Sequence, residues 1–388
     1  MTQLGNPVII PSPFRLATWN LRYDVQPDNI PVATSLAALP DPRVAPPPVL
    51  PGEQPWSARR IRVAQRLCAS HVDLVGFQEA LVRQVHDLEE LLGSEFAWVG
   101  VGRDDGVSAG EFNPIFYRRT AFTLLETDTF WLSHEPFKPG SHFPGACCPR
   151  LATFALFQVH LPTAAAAAAP APAGSGKHDQ HGQGHTRVIA LINTHLDQIS
   201  DAQRKLGAAM VLHRARYEAR IRPGVPVFVT GDLNSSATGS DGGAYAVLTG
   251  TLPAPAVPDE FSRRFPLHFN NNNQPAGSGS GSSSSSEGKE KEKEKEKEKE
   301  KEKEKEKTEE LVMRDMRCAA PRASVGGQWA TFTGFKHRKT EEDCIDFVFG
   351  RSDGVGWEVK GVFVETALSD DGMLASDHRL VVADVVVS

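Results

Sequence analysis

No apolar run in this chain approaches the roughly 20 residues needed to span a bilayer. The stretch Val381 to Val387 is apolar but far too short, and it reads as a buried strand. Met1 to Pro13 holds no basic region followed by an apolar one, so no secretory leader is expected, and a cytoplasmic or nuclear protein is. Cysteine is scarce: Cys68, Cys147, Cys148, Cys318 and Cys344 make an odd count, with no CxxC or Cys/His metal spacing among them. The adjacent pair Cys147-Cys148 is unusual, but disulfides between neighbours are rare and strained, so all five read as thiols in a reducing compartment. A basic surplus is missing as well. The formal charge is −6, and the Lys/Glu tract at 289–307, with ten lysines and nine glutamates, leaves the remainder at −7. Proteins that grip duplex nucleic acid unaided usually present a basic face.

The chain has 388 residues, 40% apolar and 23% charged. That length fits one large α/β domain or two small ones. Three stretches read as low-complexity insertions in a single domain over 14–388. Residues 25–55 are Pro-rich and exclude an ordinary helix or central strand. Residues 161–186 join an Ala run to Pro, Gly and His. Residues 270–310 pass from Asn, Gly and Ser into the Lys/Glu tract, which reads as a solvated segment rather than a partner site. His178, His181 and His185 could bind a metal adventitiously, but their Gly- and Gln-containing surroundings read as a loop.

Strands and helices alternate in the frame between these insertions. Strand patterns cover 15–20, 72–77, 114–118, 153–159, 188–194, 225–230, 344–349 and 380–387. Helix patterns cover 56–70, 80–92 and 201–219; the last carries Leu206, Met210, His213 and Tyr217 at helical spacing. Many strands with few helices suggest two packed sheets with helices outside.

The polar residues fall at the ends of these strands. Asn20, Gln78-Glu79, His195 and Asp232 with Asn234 each follow an apolar strand. Asp377-His378 precedes the last strand, and Asp346 lies inside the one before it. Sites assemble on such loops in α/β folds. The residue types suit in-line attack of water on a phosphate ester. Carboxylates at Glu79, Asp232 and Asp377 can hold a hard cation such as Mg²⁺. His195 and His378 can donate to phosphoryl oxygens or to a leaving group, and Asn20 and Asn234 can orient ligands without adding charge. Each has a plainer reading alone. Asp232 and Asn234 could make a turn and helix cap, Glu79 could cap the helix from Ala80, and His195 could be structural. Asp346 is less easily dismissed, because a buried carboxylate needs a partner.

Six ordered motifs carry a family likeness: Thr18-Trp19-Asn20, Phe77-Gln78-Glu79, Asn193-Thr194-His195-Leu196-Asp197, Gly231-Asp232-Leu233-Asn234, Ile345-Asp346-Phe347 and Ser376-Asp377-His378. With them the chain resembles the endonuclease/exonuclease/phosphatase superfamily, which includes deoxyribonucleases, abasic-site endonucleases, inositol polyphosphate 5-phosphatases, sphingomyelinases and deadenylases. Arg59-Arg60, Gly102 to Gly106, Pro114 to Arg118, Thr129 to Ser133 and Thr331 to Phe335 make it similar to an uncharacterised bacterial and fungal subgroup.

The resemblance implies a four-layer α/β sandwich, two mixed β-sheets face to face with helices outside. It implies Glu79 as the main Mg²⁺ ligand, with Asp377 and Asn20 close to the metal, and Mn²⁺ as a substitute. Asp232 would orient or deprotonate water beside Asn234. His195 would contact the phosphate, and His378 paired with Asp346 would stabilise the transition state. Asn20, Arg103 and Tyr117 would lie on the substrate side, with Glu111 near them. Arg103 could fork onto a phosphate or simply pair with Asp104 or Asp105.

The expected function is Mg²⁺-dependent hydrolysis of a phosphate mono- or diester by a monomer. The substrate would be a small molecule or a single-stranded nucleic acid. The alternative is a nuclease, such as a 3′–5′ exonuclease of deadenylase type, with Trp19, Trp56, Trp131 and Phe335 as conceivable base stackers. A catalytically silent interaction domain would be marked by a lost ligand or a broken Asp/His pair, and every motif is intact.

Overall fold

The structure, a computed structural model, describes residues 12–160, 187–238, 242–267, 311–336 and 343–388. The Lys/Glu tract and His178, His181 and His185 lie outside the described residues.

Among the described residues, thirteen strands form two mixed sheets. The first has the order β10 (Val325–Gly327), β12 (Trp357–Val364), β13 (Val381–Val387), β1 (Ser12–Asn20), β2 (Leu74–Gln78), β4 (Ile115–Arg118), β3 (Phe96–Val99). The second runs β5 (Phe122–Trp131), β6 (Leu151–Val159), β7 (Arg187–His195), β8 (Val227–Asp232), β11 (Asp346–Arg351), β9 (Met313–Asp315). Helices α2 (Trp56–Ala69) and α3 (Val82–Leu92) cover the outer face of the first sheet. Helices α4 (Asp201–Ile221), α5 (Gly243–Thr249) and α6 (Asp259–Arg264) cover the second. The result is the expected four-layer sandwich.

Its central strands β2, β7, β8 and β11 are buried on both faces, which is why they read as nearly continuous apolar runs rather than as alternating patterns. The side-chain period of two still sorts them. Ile189 and Leu191 of β7 enter the inter-sheet core, while Ala190 and Ile192 face α4. Phe228 on β8, Val348 on β11, Leu16 on β1 and Leu74 on β2 also point between the sheets. Continuing each strand with the same parity leads to Asn193 and His195, Thr230 and Asp232, Asp346, Thr18 and Asn20, and Gln78. The active-site candidates are thus the polar end of the inter-sheet layer.

A hydrogen-bonded layer separates them from the apolar core. The Gln78 amide donates to Asn193 Oδ1 at 2.8 Å and to Thr18 Oγ1 at 3.1 Å. Thr230 Oγ1 donates to the same Asn193 oxygen at 3.2 Å, and Asn193 Nδ2 donates to the Phe77 carbonyl at 2.8 Å. Gly76 makes room for this plug: a Cβ there would lie 2.3 Å from Asn193 Oδ1 and 2.5 Å from Thr230 Oγ1.

Two helices depart from what the sequence led one to expect of their segments. Residues 25–55 do contain a helix, α1 (Val32–Ala37), because Val32 to Leu39 is a proline-free window behind Pro31. Arg60 donates to the carbonyls of Ile30 and Pro31 and to Ser35 Oγ, and so fastens that segment to α2. Helix α3 starts at Val82, two residues late, because Ala80 makes a bridge with Phe112. Gln84 rather than Glu79 accepts from the N-terminal backbone of that helix, at Leu81 N–H. No helix among the described residues is long and apolar enough to cross a membrane.

Candidate active site

Strands β1, β2, β7 and β8 all end, and β11 begins, at one edge of the sandwich. Register fixes who meets whom there. Asp232 is directly opposite Asp346 in the antiparallel β8–β11 pair and opposite His195 in the parallel β7–β8 pair. Two carboxylates facing across a ladder repel each other, and both are buried.

His378 resolves that repulsion. Its Nδ1 lies 2.8 Å from Asp346 Oδ2, and its Nε2 lies 3.7 Å from Asp232 Oδ2. Burial disfavours the imidazolium, but the charges of Asp346 and Asp232 outweigh it and push the ring up to about 10. The two carboxylates thus favour the imidazolium form of the ring. Its backbone is held too: Trp19 Nε1 donates to the His378 carbonyl at 3.0 Å, and His378 N–H donates to Ser376 Oγ at 3.1 Å. Asp346 Oδ1 has no hydrogen-bond partner among the described residues.

Asp232 accepts from Asn20 Nδ2 at 2.9 Å and from the Asn234 backbone N–H at 2.9 Å. Burial, followed by the charge of Asp346, nevertheless raises it to about 7. His195 Nε2 sits 3.5 Å from Asp232 Oδ2 and 2.9 Å from Asn234 Nδ2, which donates to it. That places the ring proton on Nδ1, a buried atom with no partner among the described residues. Burial first, then Arg150 and His378, hold His195 well below its ordinary range, so it is neutral.

Glu79 and Asp377 lie on the other side of Asn20. Asn20 Nδ2 donates to Glu79 Oε1 at 2.9 Å, and Tyr23 N–H donates to Glu79 Oε2 at 3.1 Å. Glu79, Arg22 and Asn234 all adopt positive φ (61°, 58° and 46°), conformations that cost energy in non-glycine residues and cluster at functional sites. Burial and then repulsion from Glu79 raise Asp377 against the pull of His378 and Arg22. Burial and Glu79 likewise raise Glu111. Asn20 turns its amide nitrogen to the acids, while its oxygen accepts from Arg22 N–H at 2.9 Å. It thus braces two carboxylates instead of offering an oxygen of its own.

The ligand-type atoms of Asp232, Asp346 and His378 all lie within 4.8 Å of one another. The site suits metal-dependent phosphoester chemistry, because the repulsion among buried carboxylates is what a divalent cation relieves. The Asp346–His378 hydrogen bond already engages one atom of each residue. Each carboxylate oxygen of Glu79 and of Asp232 accepts one hydrogen bond and keeps a second lone pair, and Asp377 Oδ2 stands 4.0 Å from Arg22 Nε.

The substrate-side expectations fare unevenly. Arg103 pairs mainly with Glu111, at 2.5 Å, and its Nε stands 3.8 Å from Asp104 Oδ1. Asp105 turns instead to the backbone N–H groups of Val107, Ser108 and Ala109. Trp131 Nε1 donates to the Arg103 carbonyl at 2.7 Å, and Arg103 is close enough to His195 to lower it. Tyr117 is a correction. It is buried between the sheets against Phe157 and opposite Leu74, at the far end of β2 from Gln78. It shares the parity of Ile115, so it packs in the core and reaches no substrate. Trp19, Trp56, Trp131 and Phe335 are likewise buried and present no face to a base.

Sequence reasoning missed Arg150. This buried guanidinium lies 3.8 Å from Asp197 Oδ2, donates to Cys147 Sγ at 3.4 Å, and leaves its Nε unpartnered among the described residues. Its charge acts on both His195 and Glu111. It precedes β6, an antiparallel neighbour of β7, so the start of that strand lies at the site. Reading strand starts as well as strand ends would have found it.

A model of the Endonuclease/Exonuclease/phosphatase family matches residues 17–378. An endonuclease/exonuclease/phosphatase from Bacteroides vulgatus superposes with a TM-score of 0.62 at 25% identity, covering 97% of this chain and 100% of that one. A mannosyl-6-phosphatase from Bacteroides thetaiotaomicron gives 0.59 at 20% identity, covering 96% and 99%. The human nocturnin catalytic domain with bound sulfate gives 0.53 at 11% identity, covering 97% and 94%. No curated protein sequence matches the chain.

Proposed function

The chain belongs to the endonuclease/exonuclease/phosphatase family, and from that premise we propose that it is a Mg²⁺-dependent phosphoesterase acting on a small or modest-sized phosphate ester. The observation that carries the reading is the Asp346–His378–Asp232 line, a buried imidazolium fixed between two carboxylates. It sets a permanent positive charge beside a base of near-neutral affinity, the combination that in-line attack of water on phosphorus needs.

Asp232, held by Asn20 and Asn234, accepts the proton of the attacking water. Oxygen then bonds to phosphorus as the bond to the leaving oxygen breaks. His378 Nε2–H and the unpartnered His195 Nδ1–H donate to phosphoryl oxygens, where negative charge accumulates. Glu79 and Asp377 would hold Mg²⁺, with Asp232 across Asn20 from them, and Mn²⁺ is the other hard cation this set of oxygens would accept. When bound, the cation neutralises charge on the phosphoryl group. Arg103, paired with Glu111, is a phosphate contact from the substrate side, where a guanidinium matches two oxygens in a fork.

The preference for a small substrate rests on the acidic total of −6 and on the burial of all four aromatic candidates for stacking. A panel with Mg²⁺, repeated with chelator, tests the reading. It should hold sugar phosphates (one structural relative is a mannosyl-6-phosphatase), inositol phosphates, poly(A), single-stranded DNA and an abasic duplex. Chelator-sensitive turnover of a small phosphate ester is the expected result. Turnover of nucleic acid alone would make the protein a nuclease, and hydrolysis indifferent to chelator would remove the metal from the reading.

A further inference from the structure

Beside the acidic centre lies a second cluster of different chemistry. Cys147 and Cys148 close the loop before β6, and Asp197 opens the loop after β7. Cys147 Sγ stands 3.0 Å from Cys148 Sγ and 2.8 Å from Asp197 Oδ2. The ligand-type atoms of all three residues fall within 4.8 Å of one another. We infer that Cys147, Cys148 and Asp197 form a binding site for a thiophilic divalent cation of the Zn²⁺ class, separate from the oxygen-lined centre.

Four observations carry this. The donors are two sulfurs and a carboxylate, a soft set that selects Zn²⁺ over Mg²⁺, whereas the Glu79–Asp377 side offers oxygen alone. Asp197 is fully buried and already aimed. Its Oδ1 accepts from Ile199 N–H at 2.9 Å and Ser200 N–H at 2.7 Å, while Oδ2 accepts from Cys147 N–H at 2.9 Å and faces the Cys147 thiol. Charge closes as well: two thiolates, a carboxylate, a dication and the Arg150 guanidinium sum to zero. Arg150 also donates to Cys147 Sγ, a second-layer hydrogen bond of the kind that steadies a metal-bound thiolate.

The needed adjustment is small. A tetrahedral ion with Zn–S bonds of about 2.3 Å sets its two sulfurs about 3.8 Å apart. Cys147 is exposed and can swing outward to reach that spacing, which leaves a fourth position toward solvent. Binding replaces the two thiol protons, which pass to solvent, and no oxidant takes part. A disulfide between the adjacent pair would have to strain its peptide link. Loading would engage both atoms that Arg150 faces, Cys147 Sγ and Asp197 Oδ2, so the site borders the wall that reaches His195.

The test uses the full chain, reduced, stripped of metal and kept anaerobic, with excess Mg²⁺ to fill the oxygen-lined centre. Co²⁺ serves as the spectroscopic probe. The expected result is a near-ultraviolet thiolate-to-cobalt charge-transfer band that saturates at one Co²⁺ per chain and is displaced by Zn²⁺. C147S and C148S should each weaken Zn²⁺ competition by at least about tenfold, since each removes a Zn–S bond. C68S and C318S should leave it unchanged. No charge-transfer band, or a band that survives in the C147S/C148S double variant, overturns the proposal. Peptide-mapped alkylation of the wild-type chain reads the same site without substitution. Zn²⁺ should protect Cys147 and Cys148 and leave Cys68 reactive, and equal labelling with and without Zn²⁺ overturns it too. None of these readouts depends on hydrolysis, so failure here leaves the phosphoesterase reading standing, and the reverse.

Discussion

Asp346→Asn is the sharpest probe of the site, because its consequence is a shift in pH rather than a simple loss. His378 is lifted from 6.5 to about 10 by Asp346 and Asp232, although burial opposes the charge. That lift is worth roughly 5 kcal/mol of preference for the imidazolium. An asparagine can still accept from His378 Nδ1–H, so the ring keeps its place while the nearer of its two charges is gone. What remains is Asp232 at 3.7 Å set against burial, and the ring should return to its ordinary value or below. At about pH 7.5 a ring with its ordinary value of 6.5 is only about one-tenth charged, so kcat should fall about tenfold there. It should recover toward about pH 5.5, because Asp232 loses the repulsion of Asp346 and titrates lower as well. Histidine-labelled NMR of the metal-free protein gives the shift directly, and a pH–rate profile gives its effect. Stability should follow with the same sign. A raised histidine contributes fully below about 6.5 and loses that contribution as pH climbs through about 10. Wild type should therefore lose more stability over that window than Asp346→Asn. A His378 resonance still titrating near 10 in the variant, or a loss of rate equal at every pH, would refute the electrostatic account.

Asp232→Asn should cost roughly 10²–10⁴-fold in kcat, the range of a lost general base. Its melting temperature should hold or rise, because a carboxylate raised to about 7 by burial is replaced by a neutral amide; near-wild-type turnover would unseat Asp232. His378→Ala should be similarly inactive yet folded by circular dichroism, and full activity with Mg²⁺ would dismiss the imidazolium. Mg²⁺ should raise the melting temperature more at about pH 8 than at about pH 5, since burial and Glu79 raise the Asp377 carboxyl and its proton competes with the ion; calorimetry showing equal shifts would argue against a carboxylate site. Tyr117→Phe should leave KM within about twofold, because that ring packs on Phe157 and a core substitution of like volume is well tolerated; a large rise in KM would restore Tyr117 to the substrate.

The architecture was legible because its strands are short, apolar and bounded by polar ends. The run expected at 188–194 is β7 with one residue added at each side. What the pattern could not show was which way each strand points relative to the site. Tyr117 illustrates the limit. A strand buried on both faces has no polar face to reveal parity, so Tyr117 could be placed with substrate until the Leu74–Tyr117 register set it at the opposite end. The α1 helix was hidden for another reason. Proline content over 25–55 was averaged across a segment whose proline-free window, 32–39, is long enough for one and a half turns.

The site's electrostatics had even less trace in sequence, for they depend on register between segments far apart in the chain. Asp232 and Asp346 are 114 positions apart, yet the β8–β11 ladder sets them face to face. The ring that stands between them comes from the loop before β13, one position beyond Asp377. The motifs thus announce which residues gather, while the ladder decides which of them is acid, base or cation. The same reasoning explains Arg150. Its charge adds to burial in keeping His195 neutral, and a neutral ring whose Nε2 is taken by Asn234 must carry its proton on Nδ1. If Arg150→Met raised His195 toward 6.5, part of its population would become cationic near neutral pH. The acid limb of the rate profile would then acquire a second titration that wild type lacks, and a single, unmoved limb would show that Arg150 does not set the protonation of His195.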